Sequence, residues 1–183
     1  MPSPARRSPI EAWWPRSSLA VRLGSASGKA VVFVATAEPR DDEMAGRIQR
    51  HRAERPGDWR VVEAPIDVCG AVEEAEPDAF VVIDCLSLWV ANLLELGSSP
   101  EAIEDEAGAV AAFAAKRKGT TVAVTNEVGL GVVPATPLGR AYRDVLGRVN
   151  AVWASAADEA ALVVAGRLLP LASAEAVLSG LDE

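Results

Sequence analysis

Apolar positions along the chain fall into two alternating kinds of stretch. Short β-branched runs without polar interruption lie at residues 30–35, 59–62, 79–83, 120–124 and 161–164. Runs of this length and character predict strands buried on both faces. Between them the apolar residues recur at helical spacing. This predicts helices over 17–23, 41–54, about 67–75, 87–96, 100–118 and 137–156, with a last short one over 173–178. Residues 24–29 read as a helix-to-strand turn. Strands separated by helices predict an α/β fold, with a mostly parallel sheet covered by helices on both faces. In such sheets ligands bind beyond the carboxyl ends of the strands. Those ends here turn polar at Thr36-Ala37-Glu38, at Asp84-Cys85 and at Thr125-Asn126-Glu127.

The helix over 41–54 carries the most chemistry. Asp41, Asp42 and Glu43 stand at its start, where carboxylates suit the positive end of the helix dipole, and Pro56 stops it. Met44, Ile48 and His51 share one face at spacings i, i+4, i+7. The single histidine is thus expected on the inward face at a helix end, with Arg50, Arg52 and Arg55 around it. An imidazole with an ordinary pKa near ~6.5 is largely neutral at cytoplasmic pH and can attack phosphorus. Nearby guanidinium groups would steady charge on phosphate oxygens. The competing reading is a histidine that merely packs or caps a carbonyl. Asp84, after an apolar strand, either holds Mg²⁺ beside a nucleotide pocket, directly or through water, or caps the helix that follows. The loop from Thr125 to Gly131 either approaches a ligand or simply turns. Arg140, Arg143 and Arg148 are either substrate contacts or a solvated helix face.

Gly24-Ser-Ala-Ser-Gly28-Lys29 is not a phosphate loop. Three residues rather than four separate its glycines, Ala30 follows the lysine, and a strand rather than a helix comes next.

Composition sharpens this picture. A chain of 183 residues, half of them hydrophobic, is expected to bury ~70% of its unfolded surface. Residues 1–16, rich in proline and serine, read as an atypical, disordered lead. Residues 17–183 read as one α/β domain. A net charge of −8 argues against non-specific nucleic-acid binding. Two cysteines make neither a disulfide framework nor a zinc site, and the expected compartment is cytoplasmic. No run reaches the ~20 apolar residues of a membrane span, and no apolar stretch follows Arg6 and Arg7 as in a secretory signal.

Several motifs together resemble one family. Thr36-Ala-Glu-Pro-x-Asp41-Asp-Glu-Met44-x-x-Arg47-Ile-x-x-His51, then Arg55-Pro56 and Trp59-x-x-x-Glu63, look like the bifunctional adenosylcobinamide kinase / adenosylcobinamide-phosphate guanylyltransferase family. Thr125-Asn-Glu-Val-Gly129-x-Gly131-Val-Val-Pro134, Arg143-Asp144-x-x-Gly147-Arg148-Val-Asn150 and Ala157-Asp158-Glu159 extend the likeness. The resemblance implies a nucleotide-binding domain of P-loop-NTPase-like fold and a step in assembling the nucleotide loop of cobalamin. It implies phosphorylation of adenosylcobinamide by GTP or ATP, then transfer of GMP from GTP to that phosphate through a guanylylated histidine. His51 matches that histidine. The family's nucleotide contacts match Thr36, Ala37 and Glu38, then Arg52, Ala53, Glu54 and Arg55, and then Glu63 and Asp84. Mg²⁺ and a homo-oligomer, typically a trimer, are implied as well.

The likeness departs at the N-terminus. Where the family carries Gly-Lys-Ser, the aligned residues are Pro15-Arg16-Ser17, with Trp13 and Trp14 just before. Arg16 retains a positive charge, and Ser17 retains a hydroxyl able to reach Mg²⁺. Either the gene's start lies elsewhere or phosphate grip is lost here. The alternative function is then a guanylyltransferase-only or non-catalytic relative that binds a corrinoid or a partner.

Overall fold

Four β-branched runs stack side by side as one parallel sheet in the computed structural model, which describes residues 16–173 and 176–177. The strands are β1 (Val31–Ala35), β2 (Arg60–Glu63), β3 (Phe80–Asp84) and β4 (Thr121–Val124), in the order β2-β1-β3-β4. β1 and β3 are central. Their side chains are buried on both sides until the last residue, as their uninterrupted apolar character predicts. β2 is an edge strand and mostly exposed.

Among the described residues the main α-helical elements are α1 (Arg16–Ala26), α2 (Asp42–Ala53), α3 (Val68–Glu73), α4 (Leu86–Glu95), α5 (Pro100–Lys116) and α6 (Pro137–Ala156). Val32, Val34, Val81 and Ile83 point to one face of the sheet, into a core completed by Trp89 and Val90 of α4, Ile103 of α5 and Leu146 of α6. Val31, Phe33, Phe80 and Val82 point to the other face, covered by Ala20 of α1. Local chemistry sets the helix starts. Asp41, Asp67, Ser99 and Thr136 each accept an N–H of the first turn, and proline opens α5 and α6. Arg117, just past α5, instead folds back and donates to the carbonyls of Val72, Ala75, Glu76 and Ala79.

Two expectations need correcting. The run at 161–164 does not join the parallel sheet. It forms β5 (Ala160–Val164), paired antiparallel with a sixth strand, β6 (Arg167–Leu171), that periodicity did not reveal. The two-residue turn Ala165–Gly166 takes positive φ at both positions, which matches the twist of a hairpin. Nor does residue 24 begin a turn, since α1 runs on to Ala26. Gly24 is needed because a Cβ there would stand 2.8 Å from the Trp59 ring. The short helix expected over 173–178 lies largely outside the described residues, as do Trp13 and Trp14.

The segment 24–29, the end of α1 and the turn after it, leads into the amino end of β1, opposite the edge where the polar strand ends gather. Lys29 pairs there with Asp78 at 3.8 Å. Its refusal as a phosphate loop is thus supported by position as well as spacing.

Candidate functional site

The direction in which successive strands are added to the sheet reverses between β1 and β3. β1 connects through α2 to β2 on one side, and the chain then crosses back to β3 on the other. The carboxyl ends of β1 and β3 therefore flank the switch point where α/β sheets hold ligands. Ala35 lies in register with Asp84. Thr36, fully buried, stitches the two ends together. Its N–H donates to the Asp84 carbonyl at 3.1 Å. Its hydroxyl accepts from the Cys85 N–H and donates to the Cys85 carbonyl, both at 2.8 Å.

Two side chains from distant parts of the sequence meet at Asp84. The Ser17 hydroxyl, in the first turn of α1, donates to Oδ1 at 2.9 Å. His51 Nδ1, near the end of α2, lies 3.8 Å from Oδ2, an ion-pair distance too long for a direct hydrogen bond. The Asp84 side chain is 11% exposed and that of His51 35%, so the imidazole stays within reach of a ligand while the carboxylate behind it is nearly enclosed. The carboxylate raises the imidazole's pKa above its ordinary value, with burial and Arg47 opposing and Glu54 assisting. Asp84 does not cap α4. That helix opens at Cys85 with no side-chain cap among the described residues, which removes the capping reading.

Of the arginines expected around His51, Arg55 is the one hydrogen-bonded to it among the described residues, through the backbone. Arg55 Nε donates to the His51 carbonyl at 2.9 Å, and the guanidinium lies 4.0 Å over the Phe33 ring. Burial lowers its pKa, although Asp84 opposes the change. One terminal nitrogen of Arg55 is buried without a hydrogen-bond partner among the described residues. Arg50 is exposed. Arg52 is also exposed and pairs with Glu63 at the end of β2. Ala53 and Glu54 are exposed at the end of α2, where the Glu54 N–H closes the last turn. Ala37 and Glu38 follow Thr36 on the connection to α2, and Glu38 is taken up by Arg40. Arg16 opens α1.

A second polar cluster borders the first. Asn126, after β4, donates to the buried Ser87 hydroxyl at 2.9 Å, and Ser87 lies 2.9 Å from the Cys85 sulfur. Tyr142 donates to the Ser87 carbonyl, and Asn150 ties Thr125 to Asn126. Burial pushes the Cys85 thiol up, away from the thiolate a nucleophile needs. Arg140 donates to the carbonyls of Pro134 and Ala135, Arg148 pairs with Glu104 and Arg143 with Asp144. None of the three has a contact with the Asp84 cluster among these interactions. Sequence reasoning missed Ser87, Asn92 and Tyr142. Their only signal is a polar atom on the buried stripe of an apolar helix.

Parallel sheet, switch point and hydroxyl–carboxylate–imidazole cluster together define an α/β protein of the P-loop-NTPase kind. The sequence profile described as cobinamide kinase / cobinamide phosphate guanyltransferase matches residues 15–171, and the chain belongs to that family. It is 40% identical to the bifunctional adenosylcobalamin biosynthesis protein CobP of Pseudomonas aeruginosa, covering 85% of the chain and 90% of that relative. It is 41% identical to the bifunctional adenosylcobalamin biosynthesis protein CobU of Salmonella typhimurium, covering 74% of the chain and 82% of the relative. Among the described residues no helix is long and apolar enough to cross a membrane.

Proposed function

We propose that the chain transfers GMP from GTP to adenosylcobinamide phosphate through a guanylylated His51. One observation carries this reading: the chain's sole histidine stands half-exposed at the switch point with Nδ1 turned to Asp84. A carboxylate on Nδ1 favours the tautomer that leaves a lone pair on Nε2. Nε2 attacks the α-phosphorus of GTP, an N–P bond forms, and the bond to the departing pyrophosphate breaks. A phosphate oxygen of adenosylcobinamide phosphate then attacks the same phosphorus. The N–P bond breaks, adenosylcobinamide-GDP leaves, and His51 is restored. A terminal nitrogen of Arg55, unpartnered among the described residues, supports an anion beside His51.

Ser17 and Asp84 offer two hard oxygen donors in contact, the donor chemistry that Mg²⁺ takes. They would hold the ion, which when bound offsets charge on the triphosphate. No cluster of three His, Cys, Asp or Glu stands among the described residues, so its other ligands would be water and phosphate. In the same reading the chain also phosphorylates adenosylcobinamide with GTP or ATP, binds no nucleic acid, and works in the cytoplasm as a homotrimer. The exposed Val164, Leu168, Leu169 and Leu171 of the β5–β6 hairpin support self-association.

The test is incubation with GTP labelled at the α-phosphate, followed by denaturation. An acid-labile, base-stable label is expected on the native protein and not on His51→Ala. A native protein that takes up no label overturns the proposal. The departure at Pro15-Arg16-Ser17 favours one alternative, a guanylyltransferase-only or non-catalytic relative that binds a corrinoid or a partner. Calorimetry with GTP separates the non-catalytic case, which predicts no detectable binding.

A further inference from the structure

We propose that Asn92 is a positioning residue for guanylyl transfer: its buried amide fixes the connection between β1 and α2, and through it the place of His51 against Asp84. The inference rests on the histidine reading above. Asn92 lies on α4, is only 4% exposed, and is one of three buried polar residues among those described, with Thr36 and Ser87. Its side-chain nitrogen donates to the Thr36 and Pro65 carbonyls, both at 2.9 Å. Its oxygen accepts from Arg40 at 2.7 Å. Thr36 and Arg40 are the two ends of the connection that delivers Asp41, the cap of α2. Arg40 is further held by Glu38 and by Glu95 of α4.

This arrangement needs an amide. A carboxylate would face two carbonyl oxygens, and an apolar side chain would strand two buried acceptors. It also matters more for α2 than for the other long helices. No residue of α2 is fully buried, so its ends must locate it. One end is tied by Asn92 through Arg40, the other by Arg55, which holds the His51 carbonyl and stacks on Phe33. From the start of α2 to His51 is about 14 Å of helix, so a tilt of a few degrees at the first turn moves the imidazole by about 1 Å. Displacements of that size cost about 10–100-fold in rate. Thr36 extends the same frame to the other partner, because its hydroxyl brackets the Cys85 backbone that follows Asp84.

The test compares Asn92→Asp, Asn92→Ala and Arg40→Ala with Leu93→Ala. The last removes buried packing from the same helix without touching these hydrogen bonds. Two readouts are used on the full chain: the imidazole NMR resonance at fixed pH, unambiguous because His51 is the only histidine, and single-turnover guanylylation at saturating GTP. The Asn92 and Arg40 variants are expected to shift the resonance and to slow guanylylation by about 10–100-fold. The dissociation constant for GTP should change far less. Leu93→Ala is expected to lower the melting temperature while leaving both readouts in place. Arg40 is exposed, so its variant keeps the test alive if the Asn92 variants do not fold. An unmoved resonance and rate in folded Arg40→Ala and Asn92→Asp overturns the inference, as does an equal effect of Leu93→Ala. If the native protein never takes up label, the histidine reading fails, and the resonance alone decides whether Asn92 positions the imidazole.

Discussion

The chemistry of His51 is set by one neighbour. The carboxylate of Asp84 raises the imidazole's pKa, so the neutral, nucleophilic form is gained only as pH rises through that elevated value. Guanylylation is therefore expected to climb with pH and then level off. In Asp84→Asn the imidazole returns toward its ordinary value near ~6.5, and the rise moves to lower pH. A pH profile of single-turnover label uptake checks this. Stability follows the same linkage with a definite sign. A raised folded-state pKa means the pair's stabilising effect is complete below the unfolded value and is lost as pH climbs through the folded one. Melting temperatures across that window should therefore fall more in the native protein than in Asp84→Asn. Arg55 has a different role. Its planar group lies over Phe33, so Arg55→Lys, which keeps the charge but not the fork, should weaken both the stacking and the hold on the His51 carbonyl. A loss of about 0.5–1 kcal/mol in urea unfolding is expected.

At the scale of elements, α2 is the exposed member of an otherwise well-covered set. Its first turn is held by the Asp41 carboxylate, which accepts the Met44 N–H at 2.7 Å. Asp41→Ala is expected to cost about 1 kcal/mol and to speed amide hydrogen exchange in α2 before the rest of the chain. This helix was readable in the sequence because its opening carboxylates, apolar spacing and stopping proline all agree. The hairpin was not. β5 looks like any other apolar run, while β6 is fully exposed and interrupted by Pro170, and Ala165 is an unusual residue for a turn with positive φ. Such a strand exists because a partner pairs with it, and pairing leaves no periodic trace in the strand itself.

For the whole molecule, stability resides in the face of the sheet that carries α3 to α6. Leu146 is fully buried there, so Leu146→Ala should lower stability by about 2–5 kcal/mol, read from the denaturant midpoint with an unchanged slope. Among the described residues the opposite face is covered by α1 and the Phe33–Trp59 pair. The α1 that covers it also presents Ser17 to Asp84. Stability and chemistry thus largely occupy different sides of the sheet. The core variant should lower the melting temperature while label uptake at 20 °C below that temperature stays near native.

Read alone, the chain already specified parallel strands, most of the helices, and a lone imidazole near a helix end among polar strand termini. Those features are local, written in side-chain periodicity and in the charges and prolines at helix ends. The tertiary structure alone decided which strand ends become neighbours. The order β2-β1-β3-β4 places Thr36 beside Asp84 and brings Ser17 across 67 positions to the same carboxylate. It also turned Asn92, one polar residue in an apolar helix, into the tie between three segments. Periodicity states which face of an element is buried, but not what it is buried against. Contacts between remote segments follow from sheet register and crossover, which only the folded chain defines.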